Sequence, residues 1–387
     1  MIELASDPKP GVSTRFARPQ HPAENMRTLW FELERDALMV IDQTLLPHQL
    51  QVHPLQSLAD TCDAIVAMRV RGAPLIGITA AFGVYFALRD GSADLDETCQ
   101  SLLATRPTAV NLQWALQRVH QELSALPAVD RPAAALALAR KLAQEDADAC
   151  SRIGDYGLDV LEPLYWRKRQ RDGEQAVVNI LTHCNAGWLA TGAWGTALAP
   201  IYKAHLAGMP VHVWVDETRP RNQGASLTAW ELGRSGVPHT LIVDNAGGHL
   251  MQHGMVDVCL VGSDRTTANG DVCNKIGTYL KALAAMDNGV PFYAALPVST
   301  IDFSLDDGVR QIPIEQRDAG ELTHMLGKDS AGAMQRLQIV PDGTAVSNYG
   351  FDVTPARLVT ALITEQGVHP ATPEGLAAIR ARLLKSG

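Results

Sequence analysis

Between residues 176 and 296, short apolar, β-branched runs alternate with helical patterns, and this alternation restricts the possible folds more than any other feature. The runs cover 176–181, 211–215, 240–243, 256–261 and 291–296. Helical periodicity separates them at 187–206, 225–235 and 272–286, with a shorter segment near 247–253. Strands that are apolar throughout, each followed by a helix, pack as βαβ units around a parallel sheet covered on both faces. The expected class is therefore α/β, with a Rossmann-like parallel-sheet domain in the C-terminal half.

In such a sheet, ligands bind beyond the carboxyl ends of the strands. Those ends read Thr182-His183-Cys184-Asn185, Asp216-Glu217-Thr218-Arg219, Asp244-Asn245, Ser263-Asp264-Arg265 and Pro297. Several strands thus deliver polar chemistry to one rim. The stretch 256–286 is the most informative. A buried run ends abruptly in Gly262-Ser263-Asp264-Arg265, and a helix is expected to begin at Asp271 as N-cap. Asn274 and Lys275 then fall in its first turn, where free N–H groups and the helix dipole favour anions. An acid opposite an anion site fits a small phosphorylated substrate. No GxGxxG, GxxxxGK[ST] or GxSxG motif is present, so acid–base chemistry without a cofactor is expected. The six cysteines lack CxxC or zinc-like spacing, so no metal site is expected.

The N-terminal half has a different texture. Residues 1–27 carry no period and read as an arm. Runs at 28–33 and 37–41 suggest a hairpin, and 57–70 a helix with Ser57 and Asp60 as a capping box. Arg71-Gly72-Ala73-Pro74 then breaks the chain and restarts a helix to about residue 88 that is apolar nearly all round. Further helices are expected at 95–104, 109–126 and 132–161, and the charged stretch 166–174 makes a boundary. The resulting division is 1–27 (arm), 28–170 (hairpin and helical bundle) and 171–387 (Rossmann-like domain).

The break at Arg71 brings a guanidinium and backbone N–H groups to a helix start, an arrangement suited to phosphate; Arg106 sits at a second break. The formal net charge of −9, without a basic stripe, argues against nucleic acid as a partner. No signal peptide is visible at the start, and no apolar run reaches the ~20 residues of a membrane span. Scattered free cysteines fit a reducing cytoplasm.

Each candidate also has a plainer reading. Cys184 can be a small core hydrophobe, the commoner fate of a free cysteine. His183 reads as structural, and Cys259 and Cys273 as packing. Asp216, Asp244 and Asp264 hold equivalent crest positions, so position alone does not choose among them.

Longer motifs narrow the choice. RGAPLIGITAAFG (71–83), RPTAVNLQWAL (106–116), THCNAGWLATGAWGTAL (182–198), ETRPRNQGASLTAWEL (217–232), GSDRTTANGDVCNKIGTY (262–279), PFYAALPVSTID (291–302) and IPIEQRD (312–318) resemble the methylthioribose-1-phosphate isomerase family. That family is the metabolic branch of a larger one that also holds the regulatory α, β and δ subunits of translation initiation factor 2B. The resemblance implies a small N-terminal sheet and helical domain joined to a Rossmann-like domain, usually as a homodimer. It implies cofactor-free conversion of the aldose 5-methylthioribose 1-phosphate to the ketose 5-methylthioribulose 1-phosphate in methionine salvage. By motif, Cys184 takes the thiol position and Asp264 that of the proton donor. The substrate-binding positions fall on Arg71, Gly72, Ala73, Arg106, Gln223, Asn274 and Lys275.

Departures from the family pattern are Trp188 and Trp194 after the CNAG motif, Thr266 and Thr267, and Ser347-Asn348-Tyr349-Gly350. None coincides with Cys184 or Asp264, so they bear on the 5-substituent, and 5-deoxyribose 1-phosphate is an alternative substrate. Ribose 1,5-bisphosphate requires extra cations for which no cluster is visible. A non-catalytic regulatory subunit, the reading from another class, predicts decay of the Cys184, Asp264, Asn274 and Lys275 set.

Overall fold

The computed structural model describes residues 16–19, 27–91 and 94–386. Most of the expected arm, 1–27, lies outside the described residues. The expected hairpin is part of a three-stranded antiparallel sheet: β1 (Leu29–Glu32), β2 (Ala37–Ile41) and β3 (Val52–Leu55), in that spatial order. Helices α1 (Leu58–Val66), α2 (Ala73–Arg89), α3 (Leu95–Thr105) and α4 (Val110–Ser124) follow. Ser57 caps α1 by accepting from the Asp60 N–H at 3.0 Å, as the sequence suggests. Helix α2 is buried on nearly every side, which explains its unpatterned apolar composition.

Helix α5 (Arg131–Asp172) runs 42 residues, about 63 Å at 1.5 Å per residue. It continues through the boundary expected at 166–174 and ends only at Gly173, whose φ of 68° a glycine adopts without strain. The sequence pattern ends it at Leu161 because charged residues dominate from Trp166 onward. Its first half shares a core with β1, β2, α1, α2 and α4. Its second half, through Cys150, Ile153, Leu158, Leu161 and Tyr165, packs into a separate core against the large sheet.

The remaining elements alternate. They are β4 (Val178–Thr182), α6 (Leu198–Leu206), β5 (Val211–Asp216), α7 (Ala229–Arg234), β6 (His239–Ile242), α8 (Ala246–Gln252) and β7 (Val258–Val261). Next come β8 (Arg265–Thr267), β9 (Val272–Lys275), α9 (Thr278–Asp287), β10 (Phe292–Ala295), β11 (Ile301–Asp302), α10 (Gly308–Gln311) and α11 (Gly320–Thr323). The chain closes with β12 (His324–Lys328), β13 (Met334–Gln338), β14 (Phe351–Thr354), β15 (Ala361–Thr364), β16 (Gly367–His369) and α12 (Pro373–Ser386). The large sheet has the order β16-β15-β10-β7-β4-β5-β6 and is parallel except for β16. The protein is α/β as expected. A second sheet, β11-β8-β9-β14, stands beyond the carboxyl end of β7.

That second sheet corrects one expectation. Residues 272–275 form β9, not the first turn of a helix. Thr354 pairs with Val272 and Phe351 with Lys275, so partners more than 70 residues away recruit the segment. Asp271 caps no helix; its carboxylate accepts from the Gly308 and Ala356 N–H groups and anchors two later segments. The following helix begins at Thr278, behind Gly277 with φ of 102°.

Candidate active site

Strand order reverses between β4 and β7. The chain steps outward from β4 to β5 and β6, then returns to place β7 on the other side of β4. This switch point opens a crevice at the carboxyl ends. Cys184 lies two residues past β4 and Asp264 three past β7, so adjacent strands carry the thiol and the acid. Cys184 has φ of 66°, which for a non-glycine residue is strained backbone of the kind that gathers at functional sites. Its N–H donates to Thr218 Oγ1 at 2.8 Å, and its carbonyl accepts from Thr228 Oγ1 at 2.7 Å.

One cavity between the helical and Rossmann-like halves is lined by every position that the family resemblance assigns to the site: Arg71, Gly72, Ala73, Arg106, Cys184, Gln223, Asp264, Asn274 and Lys275. Asn274 and Lys275 reach it from β9. The helix N-terminus at the cavity is that of α2, which brings Gly72, Ala73 and Arg71 with it. Gly72 is required there: at φ of 105°, a Cβ would stand 2.5 Å from the Ala190 carbonyl oxygen.

The ionisable groups are buried together, and their charges oppose what burial does without cancelling it. Burial pushes the Asp264 carboxyl up, against the pull of Lys275, Arg71 and Arg106, and so favours the protonated acid. The Cys184 thiol is likewise raised by burial and lowered by Arg71 and Lys275. Burial lowers Lys275, while Cys184 and Asp264 raise it; its ammonium donates to the Gly350 carbonyl at 2.9 Å and sits 4.7 Å from the Phe351 ring centroid.

Two wall atoms lack hydrogen-bond partners: Arg106 Nε, a donor, and Gln223 Oε1, an acceptor. Buried groups left this way point to a missing polar partner. An anionic oxygen is a fitting acceptor for the first and a hydroxyl a fitting donor for the second. Arg106 is otherwise held 3.6 Å from Glu315, in a chain that continues through Arg317 and Glu321 to Arg221.

Sequence reasoning missed the support beneath Arg71. The Arg71 guanidinium donates to Asn185, both to its side-chain oxygen and to its carbonyl. The Asn185 amide is turned by Glu231, which accepts its Nδ2–H at 2.8 Å. Glu231 also accepts from the Trp188 and Leu189 N–H groups and from the Tyr202 hydroxyl. Burial pushes this carboxyl up to about 7, and those bonds draw it down. Its only sequence signal is an acid between Trp230 and Leu232 in a helical pattern, which a surface position explains equally well.

Other expectations resolve differently. Trp188 and Trp194 are fully buried in the core of the large sheet and do not line the cavity; neither do Thr266 and Thr267. All four are buried away from this cavity. None of the altered residues 347–350 lines the cavity, and Tyr349 is exposed, whereas Phe351 just after them reaches it. Among the described residues, His183, Asp216 and Asp244 form the one group spaced to hold a metal ion, but the Lys281 ammonium stands 3.2 Å from Asp216 and also donates to the Asp244 carbonyl. A cation is already built in, so the cluster does not fit a metal.

Residues 69–371 match the model of the initiation factor 2 subunit family. This chain belongs to that family. Among its members, the chain is 59% identical over 355 residues to the methylthioribose-1-phosphate isomerase of Rhodospirillum rubrum, covering 91% of each chain. It is 59% identical to the enzyme of that name from Methylorubrum extorquens, covering 91% of this chain and 96% of the other. Of solved family structures, 5-methylthioribose 1-phosphate isomerase from Pyrococcus horikoshii OT3 superimposes with a TM-score of 0.78 at 37% identity, covering 96% and 99% of the two chains. A translation initiation factor eIF-2B δ subunit from A. fulgidus gives 0.72 at 37% identity, covering 91% and 100%.

Proposed function

We propose that the protein is an aldose–ketose isomerase that converts 5-methylthioribose 1-phosphate to 5-methylthioribulose 1-phosphate in methionine salvage. The observation that carries this reading is the convergence of Asp264, Cys184 and Lys275 with two arginines on one buried cavity, in a chain 59% identical to enzymes of that name. A regulatory subunit has no use for an acid and a thiol held together out of water.

The chemistry follows from the substrate. C1 carries the phosphate, so the ring opens only by breaking the C1–O4 bond while the phosphate stays in place. Asp264, whose carboxyl burial pushes toward the protonated form, delivers a proton to O4. Hydrogen then moves from C2 to C1, as a proton through an enediol or as a direct hydride shift. The C2 hydroxyl gives up its proton to the Asp264 carboxylate, which restores the acid. In the proton route Cys184 shares the shuttle; in the hydride route it sits against the charged carbonyl system while apolar neighbours exclude water. Arg71, Arg106, Lys275 and the start of α2 hold the phosphate, and Gln223 takes a sugar hydroxyl.

The test is turnover of 5-methylthioribose 1-phosphate beside 5-deoxyribose 1-phosphate, followed by NMR, for wild type, Cys184→Ser and Asp264→Asn. Both variants are expected to lose at least about 100-fold in kcat. Full activity of Asp264→Asn sinks the mechanism, and turnover of the deoxy sugar alone sinks the substrate assignment.

The working form we propose is a cytoplasmic homodimer. The free cysteines support a reducing compartment. Leu280, Leu283 and Met286 form an exposed apolar stripe on α9 that supports self-association. Sedimentation of a monomer at micromolar concentration rejects the dimer.

A further inference from the structure

We propose that His183 is a positioning residue for this site: its imidazole braces the loop of Cys184 against the turn beyond Lys275 and so fixes thiol and ammonium relative to each other. The side chain is wholly buried. Nδ1 lies 2.8 Å from Asp216 Oδ2, and Nε2 lies 2.8 Å from the Ile276 carbonyl oxygen. A carbonyl only accepts, so Nε2 carries the proton of the Ile276 bond. The ring therefore spans from the end of β4 to the β9–α9 turn, one residue from Cys184 on one side and one from Lys275 on the other.

The brace is anchored on both sides. Asp216 is held by Lys281 at 3.2 Å, and Lys281 also donates to the Asp244 carbonyl. The Asp244 carboxylate accepts from the Thr218 and Arg219 N–H groups at 2.6 and 2.7 Å, and Thr218 Oγ1 takes the Cys184 N–H. The ends of β4, β5 and β6 are thus tied through one ring. On the far side the turn packs against the imidazole: a Cβ on Gly277 would stand 3.0 Å from His183 Cε1. Asp352 pins the same turn by accepting from the Gly277 and Tyr279 N–H groups at 2.7 and 3.1 Å.

A ring that merely fills space needs neither polar arm. Here both arms are used, and they join the two loops that carry chemistry. Cys184 has strained backbone, which relaxes unless its surroundings over-determine it.

The proposal rests on the isomerase reading for its kinetic arm only. His183→Phe keeps a ring and loses both polar arms; His183→Gln keeps an amide able to donate to the Ile276 carbonyl. Kinetics on 5-methylthioribose 1-phosphate are referred to the folded fraction measured by circular dichroism. The brace predicts kcat about 100-fold lower in His183→Phe with KM within about threefold, since sub-ångström placement is what is lost. It also predicts partial recovery in His183→Gln and a displaced kcat–pH profile, because Arg71, Lys275 and Asp264 no longer face the thiol in the same register. A kcat per folded molecule equal to wild type, with superimposable pH profiles, overturns it; so does a loss expressed in KM alone. Mass mapping of iodoacetamide-labelled Cys184 gives a readout without substrate. A changed labelling rate in His183→Phe supports the brace, and an unchanged rate rejects it. If wild type fails to turn over the sugar phosphate, the isomerase reading falls while the labelling still decides the brace.

Discussion

Replacing Glu231 by glutamine changes one atom of an almost isosteric side chain, and the structure says what that atom does. Oε1 accepts from Asn185 Nδ2 and the Leu189 N–H; Oε2 accepts from the Trp188 N–H and the Tyr202 hydroxyl. As a neutral carboxyl, Glu231 still serves every neighbour, because its own O–H can turn to the Tyr202 oxygen. A glutamine can satisfy the Oε1 side, but its NH2 then faces the Trp188 N–H, two donors with no acceptor between them. One buried N–H loses its partner, at a cost of about 2 kcal/mol. With ~2.1 cal/mol/K of unfolding entropy per residue, 387 residues give ~0.8 kcal/mol/K, so Tm should fall by about 2.5 °C when the chain unfolds in one transition. Differential scanning calorimetry at pH 4, below the window in which the unfolded chain releases this proton, measures this. A Glu231→Gln protein with Tm within about half a degree of wild type refutes the donor count.

The same residue predicts a pH dependence. Its carboxyl is raised from 4.5 to about 7 in the folded protein, so between these values the native state holds a proton that the unfolded chain releases. This contribution is full below 4.5 and is lost as pH rises through 7. The wild-type advantage over Glu231→Gln should therefore shrink across that window.

Other outcomes rest on single contacts. Glu321 is held down from 4.5 to about 2 by Arg317 and Arg221 despite its burial. Its contribution should be present above 4.5 and fade as pH falls toward 2, and an acid titration of Glu321→Gln followed by fluorescence should lack that slope. Gly72→Ala forces a methyl against the Ala190 backbone at a φ few side chains adopt, so Tm should drop by several degrees and KM should rise; an alanine variant with wild-type KM contradicts the close approach. The Cys184 thiol is raised above its ordinary 9.0 by burial and drawn down by Lys275. Lys275→Met should therefore move iodoacetamide labelling of Cys184 to higher pH, and a shift to lower pH would count against that coupling.

Much of the site is legible in the sequence, because it sits where topology puts sites. Cys184 and Asp264 come after apolar runs and mark strand ends by an abrupt change to polar residues. Arg71 and Arg106 stand at helix breaks, and the motifs supply Gly72, Ala73 and Gln223. Asn274 and Lys275 line the cavity but reach it from β9 and not from the first turn of a helix. Glu231 escapes notice, and His183 reads only as structural. Their partners, the 187–189 turn and Asn185 for the one, Asp216 and Ile276 for the other, lie 33 to 93 residues away.

The sequence by itself determined the alternation of strands and helices, the parallel sheet, the polar crest and the buried character of α2. These are set by short-range periodicity and by residues that favour or forbid local backbone conformations. Only the tertiary structure decided that β9 is a strand and that α5 runs on to Gly173. It alone decided that β4 and β7 are neighbours and that Arg71 and Arg106 close over them. The physical reason is the range of the forces: a ladder of hydrogen bonds from β14, or a carboxylate under a loop, outweighs local preference, and neither leaves a periodic trace in the segment it acts on.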